Sequence, residues 1–93
     1  MTAKYYGKKL IRNEFGDILR KMTPCVEITM KENEVDRFHK MLDYITENIG
    51  WSYDADLIAD GIGGTVSAYV PVDDAEDGRD FFECYKEAKA NVK

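Results

Sequence analysis

The side chains best suited to chemistry in this chain are carboxylates. Asp73, Asp74, Glu76, Asp77 and Asp80 put five of them within nine residues. That density invites a calcium loop, which needs oxygen ligands at positions 1, 3, 5 and 12 and a glycine at position 6. With Gly78 at position 6, Asp73 and Asp77 fit, but Ala75 falls at position 3 and Cys84 at position 12. With Gly61 at position 6, Ile58 and Ser67 fall at positions 3 and 12. Both registers fail, and no metal site is expected.

Other chemistries meet similar obstacles. Asp60-Gly-Ile-Gly-Gly64 has the glycines of a phosphate loop but precedes a β-branched run, Thr65-Val66, instead of a helix whose N–H groups would face a phosphate. A hairpin loop is the better reading. His39 is the only histidine, with Asp43 one helical turn on, which is too few ligands for zinc. Cys25 and Cys84 are far apart and lack CxxC spacing, so they are expected as reduced packing residues. No Cys-His or Ser-His-Asp arrangement emerges. An enzyme is not expected, and no cofactor.

Charge separates along the chain. Residues 1–31 carry seven basic and three acidic side chains, whereas residues 32–93 carry six basic and fifteen acidic ones. The whole chain has a formal net charge of −5. Such a field steers cationic partners inward and repels polyanions. Aromatic rings lie among the acids: Tyr53 is next to Asp54 and Asp56, and Tyr69 precedes Asp73. Aromatics supply interface hot spots and carboxylates supply steering. The expected partner-binding set is therefore Asp54, Asp56, Asp60, Asp73, Asp74, Asp77 and Asp80 with Tyr53 and Tyr69. Trp51 is expected to close the small core. A separate basic and aromatic patch, Lys4, Tyr5, Tyr6, Lys8, Lys9 and Arg12, is the alternative site, suited to phosphates and base stacking.

These residues must be positioned by one small domain, residues 1–93. Val35, Phe38, Leu42, Ile45 and Ile49 recur at steps of three and four, which predicts a helix over about 33–48, with Asn33 as its cap and Gly50 beyond its end. Alternation over 25–30 predicts a strand, with further strands at 55–59 and 65–72. Pro71 marks an edge strand or a strand end. Phe81, Tyr85, Ala88 and Val92 predict a last helix over about 75–91, with acids at its start and lysines at its end as the helix dipole favours. Ile11, Phe15, Ile18 and Met22 predict a helix before Pro24, with 4–10 as a short strand or arm. The fold class is α+β: a three-stranded, largely antiparallel sheet against two or three helices in the order α-β-α-β-β-α. Its core resembles most of a split βαβ, or ferredoxin-like, unit without the final strand, which carries no functional weight.

No apolar leader opens the sequence and no run approaches ~20 apolar residues, so a cytoplasmic protein, in its own cell or a host's, is expected. The leading functional expectation is protein binding. Small phage or mobile-element inhibitors, including anti-CRISPR and anti-restriction proteins, share this size and charge. In that reading the carboxylates mimic DNA phosphates on a partner's basic, nucleic-acid-binding surface. The alternatives are a nucleic-acid or nucleoprotein accessory domain using the basic patch, and a homo-oligomer, such as a dimer through the Pro71 strand or apolar helix faces.

Overall fold

A computed structural model describes all 93 residues, Met1–Lys93. Two long strands open the chain, β1 (Thr2–Arg12) and β2 (Ile18–Lys31). A 3-10 turn (Glu32–Glu34) leads into α1 (Val35–Asn48). Then come β3 (Asp56–Ala59), β4 (Thr65–Pro71) and α2 (Ala75–Asn91). The sheet order is β1-β2-β4-β3 and every neighbouring pair is antiparallel. The α+β class therefore holds, with four strands instead of three and two α-helices.

The difference lies in the first 24 residues, which form a hairpin and not a helix. Asn13 makes the turn: its side-chain oxygen accepts from the backbone N–H groups of Phe15 and Asp17, both at 2.9 Å. Gly16 follows at φ +86°, where a side chain would be strained. The helical spacing of Ile11, Phe15, Ile18 and Met22 is a coincidence of two strands and a turn. Ile11 is 1% exposed, yet Phe15 is 83% exposed and Met22 60%. Four residues on one buried helical stripe would not diverge in this way.

One face of the sheet carries the core. Val26, Ile28 and Met30 of β2 lie beside Val70, Ala68 and Val66 of β4, in that register. Phe38, Met41 and Ile45 of α1 and Phe81, Tyr85 and Ala88 of α2 close over them. Burying a Phe or Ile side chain is worth about 1.5–3 kcal/mol. Arg37 ties the helices together: its guanidinium donates to the carbonyls of Val92 (3.0 Å) and Lys89 (2.9 Å), which satisfies the free C-terminal end of α2. Pro71 ends β4, which is an interior strand; the sheet edges are β1 and β3. Pro71 therefore marks a strand end, and β4 is not the edge strand.

The helix starts differ instructively. Asn33 does not cap α1, because the Glu34 carboxylate accepts the Lys31 N–H at 3.0 Å and holds a 3-10 turn first. Asp74 does cap α2, accepting from the Asp77 N–H at 2.8 Å, while the Asp77 carboxylate accepts the Asp73 N–H at 2.9 Å. Asp74→Ala should lower stability by about 0.5–2 kcal/mol in urea denaturation. A loss below a few tenths would contradict the cap. No helix is long and apolar enough to cross a membrane.

Candidate partner-binding groove

The acidic residues nearest one another belong to three segments. Gly50, at φ +88°, turns the chain out of α1, and its N–H still reaches the Ile45 carbonyl at 3.1 Å. The irregular stretch that follows, before β3, presents Trp51, Tyr53 and Asp54. The β4–α2 connection presents Asp73. On α2, Asp77, Asp80 and Cys84 recur at helical spacing and so share a face, with Glu83 beside them. Two adjoining hollows share Trp51, Tyr53 and Asp77. One continues to Asp80, Glu83 and Cys84, and the other to Asp54, Asp73 and Arg20. Together they make one open groove with carboxylates along its length and an indole on its wall.

Trp51 does not close the core; it is 65% exposed. Tyr53 does that work, its ring meeting Phe81 edge-on with centroids 4.7 Å apart. The Tyr53 hydroxyl is pushed up to about 12, first by burial and then by Cys84, Asp77 and Asp80. Negative charge beside a phenol disfavours a second one.

The other expected residues are placed elsewhere. Asp56 is engaged by Arg20, whose Nε donates to its Oδ2 at 2.7 Å. Asp60 lies at the far end of β3, where its carboxylate accepts the Ile62 N–H at 3.2 Å inside the β3–β4 hairpin loop. Asp74 is committed to the α2 cap. Tyr69 lies on the opposite, helix-free face of the sheet. Burial first, and then the neighbouring Glu27 carboxylate, push its hydroxyl up to about 12. The groove therefore unites Tyr53, Asp54, Asp73, Asp77 and Asp80, and leaves out Asp56, Asp60, Asp74 and Tyr69.

The basic patch is divided between the two faces of the sheet. Tyr5 turns toward α2, where its ring leaves no room for a Cβ on Gly78: the nearest approach would be 2.9 Å. Tyr6 turns the other way and donates to Glu27 at 3.5 Å, with Lys4 and Lys9 ammonium groups 5.0 and 4.6 Å from its ring centre. Arg12 donates to the Gly16 carbonyl at 2.8 Å in the hairpin turn. Tyr6 already carries two cations and a carboxylate neighbour, so a base would have to displace them to stack.

Cys25 and Cys84 are free thiols, both raised in pKa chiefly by burial. His39 is exposed on α1, 6.3 Å ring to ring from Phe38. No three His, Cys, Asp or Glu side chains converge as metal ligands would.

The raised phenols carry a pH prediction. Tyr53 and Tyr69 sit above their ordinary value of 10.0 in the folded chain. A folded pKa above the unfolded one means that unfolding favours ionisation at high pH. Their contribution should be complete below about pH 10 and lost progressively between pH 10 and 12. Urea midpoints across that range should fall, and Tyr53→Phe with Tyr69→Phe should flatten the fall. An unchanged slope in that variant would contradict the assignment.

Sequence reasoning missed Trp51, Arg20 and Glu83 as groove residues. Glu83 was legible, three residues beyond Asp80 on the same helix. Arg20 was not, because its strand was read as a helix. No protein-family model, no curated protein and no solved structure matches this chain.

Proposed function

We propose that this chain is a small protein-binding protein whose acidic groove takes Lys or Arg side chains from a basic surface of a partner. The observation that carries the reading is Trp51, 65% exposed beside the carboxylates of Asp54, Asp73, Asp77 and Asp80. An exposed indole in a groove lined by carboxylates suits a cation twice over. The ring face attracts it by about 0.5–1 kcal/mol when exposed and by about 2 when water is excluded. The carboxylates add charge-assisted hydrogen bonds and long-range steering. The side chains of Asp54, Asp73 and Asp80 make no hydrogen bond or ion pair within the chain, so their charge is free for a partner.

Where the partner's basic surface is itself a nucleic-acid site, these carboxylates take the places of phosphates, and the chain inhibits by competition. A host or mobile-element setting in the cytoplasm suits that role. The test uses Trp51, the only tryptophan, as its own reporter. Titrating with an arginine-rich peptide at low salt should change its fluorescence saturably. The effect should weaken as salt shortens the Debye length from about 30 Å at 0.01 M to about 8 Å at 0.15 M. A flat titration would overturn the reading.

A further inference from the structure

The distal part of the β1–β2 hairpin has no obvious use in the fold. β4 pairs with β2 only as far as Cys25, so residues 7–23 form a two-stranded arm beyond the four-stranded sheet. The arm curls over the helix-free face, where Arg20 reaches Asp56 and Ile11 is buried. The arm leaves five large apolar side chains exposed within a short stretch: Leu10, Phe15, Ile18, Leu19 and Met22, Phe15 most of all. Large exposed apolar side chains gathered in one segment mark an interaction surface.

The arm is also basic. Lys8, Lys9, Arg12, Arg20 and Lys21 oppose only Glu14 and Asp17, while the rest of the chain is strongly acidic. Two arms would repel one another. The complementary surface on the same molecule is the acidic groove, and it adjoins the arm, because Arg20 of the arm lines it together with Trp51, Asp54 and Asp73. A two-fold interface requires a patch that is complementary to itself. A basic apolar arm adjoining an acidic, Trp-walled groove meets that requirement: an axis between them lays each arm on the other copy's groove.

We infer that the arm docks reciprocally on the groove of a second copy of this chain, Phe15 and Leu19 supplying the apolar anchor and Lys8 and Lys21 meeting carboxylates such as Asp73 and Asp80. This rests on the groove's taste for cationic side chains, and it makes self-association a competitor of the basic partner.

The experiment is sedimentation equilibrium on the full chain, with circular dichroism to verify folding of every variant. Wild type should dimerise, and salt should weaken the dimer. Phe15→Ser with Leu19→Ser should raise the dimer dissociation constant about thirtyfold and leave arginine-peptide binding intact. Lys8→Glu with Lys21→Glu should be monomeric, as should Asp73→Lys with Asp80→Lys. An equimolar mixture of those two variants should form the dimer that neither forms alone, since both arm–groove contacts are then complementary. A wild type that stays monomeric at the highest attainable concentration but binds the peptide would overturn the docking and leave the groove standing. Loss of both would overturn the two together. A dimer indifferent to all these substitutions would place the interface elsewhere. A monomer that instead binds phosphatidylglycerol vesicles through Phe15 would assign the arm to a membrane surface. Either result overturns the inference.

Discussion

Phe81→Ala should destabilise the chain by about 3–5 kcal/mol. The whole stability expected of 93 residues is only about 5–14 kcal/mol. Phe81 is 1% exposed, lies on α2 and is among the largest fully buried side chains. Its loss removes burial, leaves a cavity and breaks the edge-to-face contact with Tyr53, itself worth about 0.5–1.5 kcal/mol. Tyr53 is also the residue that holds the Trp51–Asp54 segment against α2, so the groove should loosen with the core. Urea denaturation should show the loss, and the folded variant should bind arginine-rich peptide more weakly than wild type. Phe15→Ala is the control: at 83% exposure it should change stability by no more than about 0.5 kcal/mol. Equal losses in the two variants would contradict the placement of the core.

Charge reversal in the groove should have the larger effect on binding. Asp54→Lys, Asp73→Lys and Asp80→Lys together should weaken an arginine-rich ligand by about a hundredfold to a thousandfold at low salt, roughly 1–1.4 kcal/mol per site. These three positions are chosen because their carboxylates support nothing else. Reversing Asp74 or Asp77 would confound binding with the loss of the α2 cap, since both carboxylates accept backbone N–H groups there. Reversing Asp56 would strand Arg20. The triple variant should keep wild-type stability to within about 1 kcal/mol, because exposed charges away from caps contribute little to folding. Unchanged affinity in a folded triple variant would remove the groove from consideration.

Both predictions depend on parts of the chain that were unequally legible. The α2 helix, Ala75–Asn91, lies where the sequence places it, because its signals agree: acids in the first turn, an apolar stripe and lysines at the end. The β3–β4 hairpin was legible from Asp60 and its glycines, and β4 from its alternation. The first hairpin was not. Register shifts between Tyr6 and Lys9, Lys9 and Ile11, and Ile11 and Arg12 break the period-two pattern that identifies a strand. What remains of the pattern mimics helical spacing. Gly16, a cost inside a helix, sits at φ +86° in the turn that the Asn13 side chain closes.

The groove was legible in composition but not in membership. Nine acids and aromatics were grouped by nearness in sequence and charge. Folding sorted them by what each carboxylate already holds. Asp74 caps a helix, Asp60 a loop, and Asp56 binds an arginine that sequence spacing had assigned to another element. Trp51 and Tyr53 exchanged their expected roles. Only one aromatic is needed over Phe81, and Tyr53 takes that position.

The most direct measurement is nuclear magnetic resonance mapping of an arginine-rich peptide on the labelled chain. The account predicts salt-sensitive shifts at the Trp51 indole N–H and at the backbone of Tyr53, Asp54, Asp73, Asp77, Asp80 and Glu83, with Asp60 and the Tyr6–Glu27 face unmoved. Shifts confined to the Asp60 loop or to the helix-free face, with Trp51 silent, would contradict it.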